Sequence, residues 1–270
     1  MPEYAEVRLC ADYINKKCKN LIFTSIKKNS ISKQKDINIS SSYFKIDAFS
    51  RGKELQIHHI DCETNKILVL TITLGMSGNF HFIENKNIKN KWPMLTWYID
   101  DIKRLELVDH RRFAKWKIRD WNSDRGYDMV KEHDLFSNSI KLKYANKCKD
   151  FNKPLCEILL SQKYFNGLGN YLLAEILGRL NINPFQPLQD LKHNKLEQLI
   201  ILCKEIPLES YKIGGGEMKD WKNPENSSKD LFAAWLKFYK HKDSLSIVTK
   251  TGRNFWYNKK WKKYNIYEDK

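Results

Sequence analysis

The chain has little that could cross-link it. Its six cysteines, Cys10, Cys18, Cys62, Cys148, Cys156 and Cys203, form no C-x-x-C pair, and none lies beyond Cys203. That spacing gives neither a zinc site nor a compact disulfide framework, and it reads as reduced, mostly buried thiols of an intracellular protein. Long hydrophobic runs are missing as well. The longest, near ILVLTITLGM, is about half of what a bilayer span needs. The first twenty residues lack the apolar core of a signal peptide, so secretion is not indicated. Internal repeats and low-complexity segments are absent. Acidic charge is the scarce sign: 32 Asp and Glu stand against 48 Lys and Arg, leaving +16 and a pI near 9.4. Such an excess suits a polyanion, nucleic acid ahead of a membrane.

What is present is enough for a real core. The 270 residues are 41% apolar, which suits one large or two medium domains. The positive charge is uneven. Residues 231–270 hold ten Lys or Arg against three Asp or Glu, interleaved with aromatics such as Phe232, Trp235, Phe255, Trp256 and Trp261. A solvated tail lacks aromatics, so this end reads as a folded basic surface.

The start, MPEYAEV, admits two readings. It is a frayed end, or Pro2 becomes the terminal residue once Met1 is removed and presents a secondary amine with Glu3 beside it. Val7, Cys10, Ala11, Ile14 and Cys18 share a helical face, which predicts a helix from about residue 4 to 17. From residue 20 to about 120 short β-branched and aromatic runs (YFKIDAF, KILVLTITL, LTWYID, RLELVD, AKWKI) alternate with turns, as in a β-sandwich. SRGKEL puts Lys53 at or just past a hairpin turn. NSDRGYDMVKEH breaks the strand pattern and marks a boundary near 125–135. Helical periodicity follows: a helix opened by Pro154 with Leu155, Ile158, Leu159 and Gln162 on one face, a second from Asn170 ended by Pro184 and Pro187, and a third through Leu196 and Cys203. IGGGEMKDWKNPENSS reads as a mobile loop. Ser227 and Asp230 resemble a capping box for a fourth helix, and SLSIVTKTGRNFWY a β-hairpin around Thr251-Gly252. The fold class is α+β: a leading helix and β-sandwich over 1–130, a helical domain over 131–240, and a hairpin with basic tail over 241–270.

The stretch NGLGNYLLAEIL has a physical use. Its glycines let a backbone approach a phosphate, the helix N-terminus can bind it, and Asn170 adds an amide. Gly-Asn before a helix is equally an ordinary cap. Taken in order, MPEYAEV, SRGKEL, LGMSG, DHRRF, QKYFNGLGNYLLAEIL and TGRNFWY resemble the formamidopyrimidine-DNA glycosylase and endonuclease VIII family of base-excision repair enzymes, nearly end to end. Ala5 departs from a second proline usual in the family. Many members end in a four-cysteine zinc finger, for which no cysteine is available here. The final hairpin is similar instead to the zincless finger of animal endonuclease VIII-like and plant formamidopyrimidine-DNA glycosylases, with aromatic packing around Trp256 in place of the metal.

The resemblance implies a bifunctional DNA glycosylase and AP lyase with a helix-two-turn-helix domain, acting as a monomer without cofactor or metal. Its partner would be damaged DNA, double-stranded or alternatively single-stranded, with oxidised pyrimidines favoured. In this reading Pro2 is the nucleophile and Glu3 the general acid. Lys53 and Arg253 grip phosphate and assist, and Asn170 binds phosphate. Met76, Arg111 and Phe113 fill the hole left by a flipped nucleotide. Glu6 supports the site or is a helix first-turn acid. The loop at 211–229 would close on the flipped base. Two other readings stay open: a catalytically silent DNA-binding relative, and a general RNA-binding basic protein.

Overall fold

The structure is a computed structural model that describes residues 2–216, 221–225, 229–250 and 252–267. The chain forms two compact units. One runs to Asn122 and takes in the stretch from Gly214 to Glu225. The other runs from Ser123 to Ile213 and resumes at Lys229. Sequence patterning places the boundaries at 130 and 240. The structure draws the first at Asn122 and keeps the final hairpin with the helices.

The first unit opens with α1 (Tyr4–Cys18). Eight strands follow: β1 (Ser25–Lys28), β2 (Phe44–Arg51), β3 (Glu54–Asp61), β4 (Ile67–Thr73), β5 (Asn79–Ile83), β6 (Pro93–Tyr98), β7 (Arg104–Val108) and β8 (Lys115–Ile118). They pair antiparallel into two sheets of order β1-β6-β7-β5 and β2-β3-β4-β8. The alternation read from YFKIDAF is a two-residue period. Phe44, Ile46, Ala48 and Ser50 point inward, whereas Lys45, Asp47 and Phe49 are exposed. Leu55, Ile57, Leu70 and Ile72 share one core with Phe80, Leu95, Trp97, Leu105 and Leu107. The helix buries the predicted face in that core. It is locked to β2 by Asn15, whose amide donates to the Ala48 carbonyl at 2.8 Å and accepts its N–H at 2.7 Å.

IGGGEMKDWKNPENSS proves, at its described residues, to be fastened to this unit. Trp221 is 2% exposed and joins the core beside Cys10. The Lys222 carbonyl accepts from the Asn79 amide at 2.7 Å, and the Asn223 amide donates to the Gly214 carbonyl at 2.8 Å. One tryptophan in a polar run outweighs the composition around it, because its ring buries so much apolar area.

The second unit holds α2 (His133–Ala145), α3 (Leu155–Ile158), α4 (Asn170–Leu180), α5 (His193–Lys212), α6 (Lys229–Trp235) and the hairpin β9 (Ser244–Val248) with β10 (Asn254–Asn258). The helix opened by Pro154 is a single turn, so Gln162 lies past it in the following loop. Its side chain bonds loop groups instead: the amide donates to the Leu160 and Leu168 carbonyls, and its oxygen accepts the Gly167 N–H at 3.0 Å. Asn181, not the later prolines, stops α4. At φ 55° it is left-handed and returns its N–H to Leu177 and Gly178. Ser227 and Thr251, expected to cap α6 and to turn the hairpin, lie outside the described residues.

Candidate active site

Residues at the start of α1 form one buried acidic group. Glu3 is the N-cap, with extended backbone, and pairs with Glu6 in a reciprocal capping box. The Glu6 carboxylate accepts the Glu3 N–H at 2.7 Å. Pro2 is buried, Glu3 is 2% exposed and Glu6 is fully buried. A proline cannot donate to the helix, and the box fixes the residue after it, so Pro2 and Glu3 enter α1 in one defined geometry. Met1 lies outside the described residues.

Glu6 has a second partner that the sequence did not suggest. Its other oxygen accepts the Gly216 N–H at 2.6 Å. Gly215 has φ 71°, and a Cβ there would sit 2.9 Å from both Glu6 Oε1 and Leu9 Cδ1. Glu6 is therefore a helix cap and a loop anchor at once. Its place in the first turn of α1 is that of the first-turn acid.

Lys53 occupies the two-residue turn between β2 and β3, after Gly52 at φ 55°, and is half-buried. The register sets Arg51 opposite Glu54. Glu54 is buried and takes Arg119 at 2.6 Å and the Asn122 N–H at 3.1 Å. This stiffens the hairpin that carries the lysine.

Met76, Arg111 and Phe113 come together in two touching turns of the same unit. Met76 is half-buried. Arg111 is exposed, and Phe113 is 48% exposed. The Arg111 guanidinium lies over the Phe113 ring, 5.0 Å from its centroid. A half-exposed phenylalanine under an arginine is not a core residue.

Asn170 and Arg253 stand in the second unit. Asn170 is the first residue of α4, with Gly169 as an extended N-cap and Gly167 at φ 123° ahead of it. The Asn170 side-chain oxygen is buried and has no hydrogen-bond partner among the described residues. The fold itself does not use this oxygen. Arg253 returns the chain from the hairpin tip. Its carbonyl accepts from the Thr249 N–H at 2.9 Å and from the Thr249 hydroxyl at 3.2 Å, and its side chain is exposed. Support for the tip differs from expectation. Phe255 and Tyr257 take the buried face, stacked at 6.1 Å, with Phe185 against Tyr257 at 5.0 Å. Trp256 is on the other face, half-buried against Tyr239. Alternation in β10 decides this, since residues flanking Trp256 share the opposite side. Among the described residues no group of three or more His, Cys, Asp or Glu could hold a metal ion. No helix among them is long and apolar enough to cross a membrane.

Similarity to known proteins follows the same lines. The family model described as formamidopyrimidine-DNA glycosylase N-terminal domain matches residues 1–116. Endonuclease 8-like 1 of Homo sapiens is 30% identical over 285 residues, covering 95% of this chain and 72% of that protein. Its Mus musculus counterpart is 32% identical over 287 residues with the same coverage. The wild-type Lactococcus lactis Fpg (MutM) structure, solved in complex with DNA containing an oxidised pyrimidine, superposes with a TM-score of 0.79. It covers 95% of this chain and 98% of that one at 19% identity, a likeness of fold.

Proposed function

Because the chain belongs to the formamidopyrimidine-DNA glycosylase and endonuclease VIII family, we infer that it is a DNA glycosylase of base excision repair with AP lyase activity, binding damaged DNA. It works on the genome and so inside the cell. Family membership removes the reading as a general RNA-binding protein. The observation that carries the chemical reading is the capping box of Glu3 and Glu6, which buries an acid directly beside Pro2.

The target base is inaccessible within a duplex and must be flipped out. Once Met1 is removed, the Pro2 amine is a fitting nucleophile. An α-amino group titrates at about 7.7–8.0, so a fair share is neutral near neutral pH, whereas a lysine at about 10.4 is almost wholly protonated. Pro2 nitrogen bonds to the sugar C1′ as the C1′–base bond breaks, and the base leaves with the electron pair and takes up a proton. Glu3 gives its proton to the ring oxygen, the ring opens, and an iminium ion joins Pro2 to C1′. That cation acidifies the C2′ proton. Its removal expels the 3′ phosphate by β-elimination, and the 5′ phosphate follows by δ-elimination. Water then hydrolyses the iminium and frees Pro2. Lys53 and Arg253 hold phosphates through these steps, and Asn170 holds another at the start of α4. Oxidised pyrimidines are the proposed substrates, on the likeness of the hairpin to zincless fingers, and the enzyme needs no metal.

Borohydride added during reaction with lesion-containing DNA tests this. A trapped protein–DNA adduct mapping to the N-terminal residue is expected. An adduct on Lys53, or none with any lesion, would refute the proline mechanism, and the second result would favour a catalytically silent relative.

A further inference from the structure

The two turns that carry Met76, Arg111 and Phe113 are joined by one buried carboxylate. Asp109 is fully buried. Its Oδ2 accepts the N–H groups of Phe113 and Ala114, each at 2.7 Å, and its Oδ1 accepts that of Arg111 at 3.1 Å. The same Oδ1 accepts the hydroxyl of Ser77 from the other turn. The Asp109 backbone is held in turn. Its N–H donates to the Trp92 carbonyl at 3.0 Å and its carbonyl accepts from Arg112 at 3.2 Å. Arg112 stands at φ 58°, a left-handed conformation that a side chain rarely adopts unaided. Bonds from the carboxylate to residues on both sides of it hold that kink. The Ser77 turn is closed by Gly78 N–H to the Leu74 carbonyl at 2.9 Å, and it meets its neighbour backbone to backbone. A Cβ on Gly75 would lie 2.7 Å from Phe113 Cβ and 2.8 Å from the Phe113 carbonyl carbon.

We propose that Asp109 is a positioning residue for base eversion, which with Ser77 makes Met76, Arg111 and Phe113 one preorganised wedge. The proposal rests on the assignment of those three as the void-filling set. A wedge enters the base stack least readily when its parts must be ordered on entry, because the entropy lost in ordering them opposes insertion. Met76 comes from one turn, Arg111 and Phe113 from the other. The carboxylate is their shared fixed point, and it touches neither substrate nor the reacting atoms. An amide in its place keeps the size but loses one acceptor. Either the Phe113 and Ala114 donors or the Ser77 and Arg111 donors would then face an NH2 group.

The test compares Asp109→Asn and Ser77→Ala with wild type, alongside Met76→Ala and Phe113→Ala. Three readouts are taken: excision from a lesion-containing duplex, the fluorescence rise of 2-aminopurine placed beside the lesion, and borohydride trapping on an abasic site in a single strand, which has no stack to fill. For Asp109→Asn we expect about a tenfold loss of kcat/KM on the duplex with a slowed fluorescence rise, and trapping on the single strand within about twofold of wild type. Ser77→Ala should shift the same two duplex readouts by less. Should Asp109→Asn fail to fold, as judged by its melting curve, Ser77→Ala decides on the same readouts. Equal losses on duplex and single strand would make the carboxylate merely structural and overturn the proposal. So would wild-type eversion in both variants while Met76→Ala and Phe113→Ala are slow. Wild-type eversion in Met76→Ala and Phe113→Ala would instead refute the void-filling assignment, and this proposal with it.

Discussion

The Gly216 N–H donates to the Glu6 carboxylate at 2.6 Å across 210 positions of sequence. Through its other oxygen the same carboxylate fixes the Glu3 N–H, so the residue after Pro2 and the 214–216 backbone share one anchor. Gly215 makes the approach possible, because a Cβ there would crowd Glu6 and Leu9 and its φ is 71°. Gly215→Ala is therefore expected to lose about 1–2 kcal/mol from the left-handed backbone alone, and more from the crowding. Urea unfolding measures the first effect, and excision of a base from a duplex measures displacement of the loop. Wild-type stability and excision together would show that the anchor holds nothing that matters.

Glu3→Gln separates two parts of the reaction. The amide keeps the size of the side chain but has no acidic proton to give to the ring oxygen. Base excision should be lost while DNA binding, followed by gel shift, is kept. Strand cleavage at a preformed abasic site should suffer less, since the base has already gone. Equal loss of both activities with unchanged folding would mean that Glu3 is not chiefly the acid of the glycosylase step.

Stability should fall in mild acid through His59. Burial, first of all, pushes this imidazole from 6.5 down to about 4, with His58 adding to the shift and the Leu68 carbonyl opposing it. The ring serves as a neutral bridge in the sandwich core. Trp97 Nε1 donates to its Nε2 at 2.8 Å, and its Nδ1 lies 3.2 Å from the Leu68 carbonyl. Between pH 6.5 and 4 the unfolded chain binds the proton and the folded one does not, so stability rises with pH there. The contribution is complete above about 6.5 and fades as pH falls through that window, by on the order of 3 kcal/mol. Burial lowers His58 and His81 as well, which adds to the same slope. Urea unfolding at pH 7.5 and 4.5 checks the sign. Proton NMR should show the His59 ring unchanged between pH 7.5 and 5.5, and titration of His59 near 6.5 would contradict the bridge.

What is legible in the sequence depends on whether apolar residues mark the buried face. In α1 they do: Val7, Cys10, Ala11, Ile14 and Cys18 are all buried. In α2 they do not. HDLFSNSIKLKYA buries only Phe136 and Ile140, while Leu135 and Leu142 are exposed, Leu142 by 63%. Two buried positions do not make a period, so the sequence pattern does not reveal that helix. Pro2, Glu3, Lys53 and Arg253 are proposed from motifs, each in a short stretch whose turn or cap chemistry is local. Gly216 and Asp109 escape because their roles are non-local. A backbone N–H has no sequence signature, and the Asp109 carboxylate is defined by a hydroxyl 32 positions away.

The final hairpin gives the sharpest test of the proposed phosphate grip. Cysteine is absent beyond Cys203, and Phe255, Tyr257 and Phe185 support the tip through ring contacts. Activity should therefore survive a strong chelator, and metal analysis should find no stoichiometric zinc. Arg253→Ala should nevertheless cut activity severely. The arginine's backbone is pinned by Thr249 and its side chain is exposed, so truncation would remove the proposed phosphate contact without taking away these backbone bonds. Binding measured across a salt series should show log K falling less steeply, by about one phosphate contact. Asn170→Ala removes a neutral amide, so it should weaken binding while moving the salt slope less. The two variants thus divide charge from hydrogen bonding. Wild-type turnover and salt slope in Arg253→Ala would take the phosphate role away from the hairpin, and residues 231–270 would then be a basic surface with no part in the reaction.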